Sequence, residues 1–136
     1  MPELYSAVVL LNPVSKKNSQ QILINRKTGR PFISPSKAYK TFEKDCIAQL
    51  PKPPEPISAP VNVKCVFFMQ TRRRVDKTNL EEAIHDTMVK AGVLADDNRD
   101  VVYSGDGTRV FYDKEYPRIE ITITEAEEGA AQWRQS

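Results

Sequence analysis

The residues best suited to chemistry lie in one stretch, from Arg72 to Asn98. It opens with three consecutive arginines and continues into a helical pattern rich in carboxylates. Its acidic side chains include Asp76, Glu82, Asp86, Asp96 and Asp97. Arginines neutralise phosphates, and carboxylate oxygens are the ligands that magnesium prefers in proteins. These are the components of a metal-dependent phosphodiesterase, which uses a metal-activated water.

The same spacing also has a purely structural interpretation. Asp76 could cap the helix that follows it, and Asp96-Asp97 could form an ordinary turn. Glu82 and Asp86 form a like-charge i,i+4 pair, which is mildly destabilising unless a cation such as Lys90 or a metal lies nearby. His85 is the only histidine, and a lone helical histidine is typical of a structural role rather than a catalytic one.

Charge is distributed unevenly along the chain, although the net charge is only +2. Residues 1–77 carry fourteen Lys/Arg and five Asp/Glu, whereas residues 78–136 carry six and thirteen. A basic first half indicates a polyanionic partner, and an acidic second half indicates cation sites. A mixed, solvated surface is the alternative interpretation.

Composition places the chain among single-domain globular proteins. At 136 residues with a 40% hydrophobic fraction, it is long enough to bury a sizeable core. No apolar run reaches the ~18 residues of a membrane span, and no signal peptide is recognisable. Cys46 and Cys65 match no zinc or redox spacing. We therefore expect a cytoplasmic protein with two reduced thiols and no membrane partner.

The first half predicts a strand, a hairpin and a helix. Residues 4–11 have strand character, and residues 20–25 and 31–33 predict a short hairpin. Its turn, residues 26–30, contains three basic residues and Gly29, so it is either a solvated tip or a contact with DNA backbone. Ser34-Pro35-Ser36 predicts the start of a helix over residues 36–50.

The second half of the chain contains the elements predicted to position the candidate site. Residues 51–60 hold five prolines and predict a stiff connector, followed by a strand over 61–70. A helix is predicted from a cap at Thr78 or Asn79 to about Ala91, ending at Gly92. Residues 101–102 and 109–112 suggest a hairpin about a glycine turn, and residues 118–124 alternate as a strand. We predict an α+β fold, with a single domain over residues 1–125 in which a mixed β-sheet is flanked by two main helices. We expect residues 126–136 to be a polar, flexible tail.

The central motif resembles that of the RusA family of crossover-junction endodeoxyribonucleases. The similar segments are Asp76-Lys77-Thr78-Asn79-Leu80, the helix end Lys90-Ala91-Gly92-Val93, Asp96-Asp97, and the opening Asn12-Pro13-Val14-Ser15-Lys16-Lys17-Asn18. The family motif is Asp-x-Asp-Asn, a lysine three residues on, a helix, and then Asp-Asp. The resemblance covers most of residues 5–125.

The resemblance implies a small homodimeric nuclease, of a type common in prophages, that resolves four-way (Holliday) DNA junctions with magnesium, or with manganese in its place. By position, Asp76 and Asp97 correspond to metal-binding aspartates, and Asp96 is a further candidate ligand. Thr78 stands where the family has its second aspartate, and Glu82 where it has lysine. We hypothesise that Glu82 supplies the missing carboxylate, so Asp76, Asp97 and Glu82 are the candidate catalytic residues. The candidate DNA-binding residues are Arg72, Arg73, Arg74, Lys77, Lys16, Lys17, Asn18 and Asn79.

Three alternatives remain open at this stage. The chain could be a nuclease for other branched DNA, such as flaps. The threonine at position 78 also leaves open a catalytically weakened protein that binds junctions. A generic globular protein with an accidental motif would show no salt-sensitive DNA binding.

Overall fold

The computed structural model describes residues 3–15 and 20–126 of the chain. Seven strands and two helices are described there. They are β1 (Glu3–Val9), β2 (Gln20–Ile24), β3 (Pro31–Pro35), α1 (Lys37–Gln49), β4 (Val61–Met69), α2 (Lys77–Lys90), β5 (Val102–Ser104), β6 (Arg109–Tyr112) and β7 (Arg118–Glu125). This α+β architecture, a mixed sheet with two helices, confirms the predicted fold class.

The main sheet has five strands, with β1, β7, β4 and β5 in that order and β6 pairing with the later part of β4. β4 is antiparallel to β7 but parallel to β5 and β6. Alternate residues of β4, Val61 through Met69, are buried, and so are Ile119, Ile121 and Ile123 of β7. Period-2 alternation therefore directs one face of the sheet into the core.

Both helices cover that buried face. Phe42 and Cys46 of α1 and Leu80, Ile84 and Met88 of α2 join the core cluster. Ser36 begins α1 as predicted, because its hydroxyl accepts a 3.1 Å hydrogen bond from the Tyr39 amide. The other face of the sheet is not covered by either helix.

The predicted hairpin between residues 101–102 and 109–112 is wrong. β5 pairs with the start of β4 and β6 with its end, both in parallel, so the chain continues in one direction along β4. Side chains bridge the gap between the two short strands. The Asn62 carboxamide accepts from the Asp106 amide at 2.7 Å, and the Thr108 hydroxyl accepts from the Cys65 amide at 3.1 Å. These tertiary bonds decide the pairing, and they leave no local signal in the sequence.

The strands β2 and β3 form the predicted hairpin as a separate two-stranded sheet. Its turn is closed by the Asn25 side chain, which accepts hydrogen bonds from the Lys27 and Thr28 amides at 2.9 and 3.3 Å. Gly29 has φ +70°, which suits glycine at this turn. Among the described residues, no helix is long and apolar enough to span a membrane.

Candidate functional site at the two ends of helix α2

The arginine segment, residues 71–75, connects the end of β4 to the start of α2. Arg72, Arg73 and Arg74 are all exposed. The segment lines a cleft of about 470 Å³ against Asn12 and Pro13 of the β1 loop. The Asn12 side chain holds the loop in place by accepting a 2.8 Å hydrogen bond from the Gln70 amide. Three guanidinium groups are therefore presented to solvent on an anchored loop, as phosphate binding requires.

Asp76 caps α2. Its carboxylate accepts a 2.9 Å hydrogen bond from the Thr78 amide. The cap predicted at Thr78 or Asn79 is therefore wrong by two or three residues. The alternative interpretation, in which Asp76 caps the helix, is confirmed. A carboxylate is favoured here because the helix N-terminus carries partial positive charge. The cap also fixes Asp76 directly beside the arginine segment.

Asp96 and Asp97 lie just past the other end of α2. Gly92, with φ +78°, ends the helix as predicted. The following loop is pinned to the connector, because the Ile57 amide donates to the Val93 carbonyl and the Ala95 amide donates to the Ile57 carbonyl, each at 2.9 Å. The Asp97 amide then donates a 2.7 Å bond to the Asp96 carboxylate. The proline-rich connector thus positions the acidic pair.

Like charges crowd the acidic pair. The pKa of Asp97 is raised above its usual value, first by burial and then by the neighbouring carboxylates of Asp96 and Asp86. Asp86 lies on α2, where Lys90 partly neutralises it at 3.3 Å. A bound cation would relieve this repulsion. The donors here are all carboxylate oxygens, so their chemistry fits magnesium.

The two ends of α2 do not meet within one chain. Asp76 and Asp86 are ten residues apart on the helix, which is roughly 15 Å along its axis. Asp97 follows the C-terminal end of the helix in the sequence, and the Asp86 charge contributes to its raised pKa. Throughout residues 3–15 and 20–126, no three His, Cys, Asp or Glu side chains are placed to hold one metal ion. The structure therefore places Asp97 beside Asp96, and among the described residues it gathers neither Asp97 nor Asp76 into a group of three metal-ligating side chains.

Glu82 is exposed on the helix face that joins the two ends. It lies one turn from Thr78 on one side and one turn from Asp86 on the other, at i,i±4 spacing. Its neighbour Glu81 faces the body of the protein instead, with its carboxylate within 3.2 Å of the Cβ position at Gly105. Of the two glutamates, Glu82 is therefore the one that can reach a ligand in solvent.

The remaining candidate DNA-binding residues fall into three groups. Lys77 is exposed beside the arginine segment and pairs with Glu81 at 3.6 Å. Asn79 is half-buried in the first turn of α2. Lys16, Lys17 and Asn18 lie outside the described residues.

His85 lies on α2 and is partly buried. Its Nε2 atom is buried and has no hydrogen-bond partner in the part of the chain that the structure describes. Burial lowers the pKa of His85, and the Glu81 charge opposes this only in part. The imidazole is therefore neutral near pH 7.

Sequence reasoning missed two arrangements near the site. Lys90 also bonds Glu43 of α1 at 3.0 Å, and Arg72 stacks over Tyr112 of β6 at 4.2 Å from the ring centroid. No local pattern reveals either pair, because the partners are 40 or more positions apart. The exposed aromatics of β6 were the available signal for the second pair.

Comparison with known families adds the deciding observation. Residues 10–124 match the family described as Endodeoxyribonuclease RusA. The chain belongs to the RusA endodeoxyribonuclease family. This match spans both ends of α2, so in this RusA-family chain the arginine segment and the acidic pair fall within the family region. No curated protein gives a significant match.

Proposed function

We propose that this RusA-family chain is a magnesium-dependent nuclease that resolves four-way DNA junctions by paired nicks. The family match over residues 10–124 is the observation that carries the proposal. The exposed arginine segment supports it, because phosphate contacts dominate DNA affinity and position the duplex. Junction selectivity would then come mainly from shape and backbone contacts rather than base readout.

The proposed roles follow from position. Arg72, Arg73 and Arg74, together with Lys77, bind phosphates beside the helix N-terminus, where backbone amides favour anions. Asp76 and Asp97 hold the metal, with Glu82 and Asp96 as further carboxylates. Magnesium or manganese, when bound, supplies charge neutralisation and an activated water.

We propose a homodimer because the described residues of one chain hold no group of three side chains that could complete a metal site. Ligands of one magnesium ion lie ~2 Å from it, and Asp76 and Asp97 belong to segments that flank opposite ends of α2. A two-fold axis that sets two α2 helices antiparallel brings Asp76 of one copy to Asp97 of the other, and it creates two equivalent sites. Two such sites suit the cutting of two opposed strands.

A binding role without catalysis is the second candidate. Thr78 carries a hydroxyl where the family pattern has a carboxylate, and a hydroxyl is a poor magnesium ligand. Such a protein would bind junctions through the arginine segment but would leave them intact.

The test is cleavage of an end-labelled four-way junction with magnesium, beside a linear duplex of the same sequence. Asp97→Asn removes the proposed ligand, and Asp100→Asn, an exposed acidic residue of the same loop, is the matched control. We expect paired nicks on the junction alone, lost in Asp97→Asn and kept in Asp100→Asn. Tight binding without nicks by the native chain would replace the nuclease with the binding role. Equal cleavage of the duplex would exclude junction selectivity.

A further inference from the structure

Three side chains form a stack across the uncovered face of the main sheet. Phe68 of β4 lies between Arg118 of β7 and Phe111 of β6 in the strand register. The Arg118 guanidinium is 3.7 Å from the centroid of the Phe68 ring. The Phe111 ring lies 5.7 Å from Phe68 at an interplanar angle of 33°. The order across the sheet is therefore the Arg118 guanidinium, the Phe68 ring and the Phe111 ring, with Phe111 outermost.

The inner end of this stack is rigidly held. Arg118 donates to Glu120 at 2.8 Å, to Asp113 at 2.9 Å and to the Tyr116 carbonyl at 2.8 Å. These bonds hold the guanidinium plane in place, and the plane in turn holds the Phe68 ring by cation–π contact. An anchored stack loses little side-chain entropy when another flat group is added to it.

The outer end of the stack is open. β6 pairs with β4 on one side, and in the described part of the chain no strand pairs with its other edge. Phe111 is 51% exposed and Tyr112 is 40% exposed. Successive strand residues point to opposite faces of a sheet, so Phe111 extends the stack on the uncovered face, whereas Tyr112 projects from the other side of the same edge strand.

The surroundings of the open end are basic. Phe111 and Tyr112 line a shallow cleft of about 240 Å³ together with Arg72 and Arg73 of the arginine segment. The other lining residues are Met69, Thr71, Val75 and Val110, so no acidic side chain contributes. Arg72 itself lies over the Tyr112 ring. An aromatic surface beside guanidinium groups is complementary to a flat group attached to a phosphate.

We propose that the exposed ring of Phe111, at the open end of the stack, binds an unpaired nucleobase of branched DNA by stacking, while Arg72 and Arg73, beside Tyr112 at the same sheet edge, bind its flanking phosphates. The inference rests on the proposed function for its DNA partner. Every base has a π-face, so such a platform is indifferent to sequence and selects unpaired over paired nucleotides. A branch point is where unpaired bases become accessible, and β6 lies beside the arginine segment that leads to Asp76.

The test is metal-free fluorescence anisotropy with three labelled DNAs: a linear duplex, a four-way junction, and a splayed duplex with unpaired thymines at the branch. Phe111→Leu removes the aromatic face but keeps an apolar side chain, and Phe111→Trp keeps the face. Tyr116→Leu is the control, because Tyr116 is 72% exposed outside the stack. We expect Phe111→Leu to weaken splayed-duplex binding about 5- to 150-fold. Phe111→Trp and Tyr116→Leu should bind as the native chain does, and duplex affinity should change less than about twofold.

Two kinds of outcome would overturn the inference, one in DNA affinity and one in oligomeric state. One is an unchanged splayed-duplex affinity in Phe111→Leu, or an equal loss on the plain duplex. The other is a change in oligomeric state, measured by sedimentation velocity, which would assign the surface to a second copy of the chain. The stacking test measures only DNA binding. A failure of the proposed function would instead be seen in the cleavage test, as an absence of junction nicks by the native protein.

Discussion

Lys90 on α2 and Glu43 on α1 are joined by a 3.0 Å bond between Nζ and Oε2. The same ammonium group lies 3.3 Å from Asp86, so one lysine holds two carboxylates on two helices. The hydrogen bond that Lys90 donates to Glu43 is the largest cause of the raised pKa of Lys90, and the hydrogen bond to Asp86 and its charge add to it. This lysine both links the helices and limits the negative charge next to Asp97.

Loss of that link should cost little stability at moderate salt. Lys90→Gln should lower the free energy of unfolding by about 1 kcal/mol or less, because exposed ion pairs contribute little. The cost should shrink further in 1 M salt, since exposed pairs are screened. Urea unfolding at low and high salt measures both effects. Lys40→Gln on the exposed face of α1 is the control, and a loss that is independent of salt would contradict the electrostatic explanation.

Glu82 should matter to metal-dependent cleavage, whereas its neighbour Glu81 should not. Glu82→Gln removes a solvent-facing carboxylate between Thr78 and Asp86, so we expect at least tenfold slower junction cleavage and a higher magnesium requirement. Glu81→Gln is the matched control, because Glu81 faces Gly105 and pairs with Lys77. A magnesium titration of the cleavage rate separates the two variants. Unchanged metal dependence in Glu82→Gln would refute the idea that it replaces the family aspartate.

Thr78→Asp restores the carboxylate of the family pattern and should raise activity. Thr78 is the second residue of α2, where an added negative charge also suits the helix dipole by roughly 0.3–1 kcal/mol. We expect faster junction cleavage at limiting magnesium together with a slightly higher melting temperature. Thr78→Asn has similar size without charge and should show neither gain. If both variants cleave like the native chain, position 78 does not contribute to the metal site.

The sequence allowed the elements around the site to be predicted, but not how they are arranged. Periodicity placed α1, α2, β4 and β7 closely, and the serine cap marked the start of α1, because those signals are local. The parallel pairing of β5 and β6 with β4 depends on the Asn62 and Thr108 side chains, which form hydrogen bonds with residues more than 40 positions away in the sequence. The position of the loop that carries Asp97 depends on hydrogen bonds to Ile57. Motif spacing carries no information about such contacts.

Both thiols should be unreactive in the native protein. Cys46 and Cys65 are free and fully buried. Burial raises the pKa of Cys46 to about 12 and raises the pKa of Cys65 as well. The thiolate is the reactive form, so a disulfide reagent at pH 8 should label neither native thiol and both in denaturant. The unfolded thiols ionise near ~8.5, so their contribution to stability is full below that pH and is lost as pH rises towards the folded values. Rapid labelling of the native chain would contradict the buried positions.

Mixing two inactive variants tests whether the site is shared between subunits. Asp76→Asn and Asp97→Asn each damage both sites of a homodimer in the proposed antiparallel arrangement. A mixed dimer carries both changes in one site and neither in the other, so equal mixing and subunit exchange should restore single nicks on a four-way junction. At most about half of the dimers can be mixed, so the recovered rate should stay below half of the native one. The control mixes Asp97→Asn with a chain that carries both Asp76→Asn and Asp97→Asn. This mixture should show no cleavage. If the first mixture also stays inactive while subunits exchange, each chain must build its site alone, and the loop that carries Asp97 would have to move towards Asp76 when DNA binds.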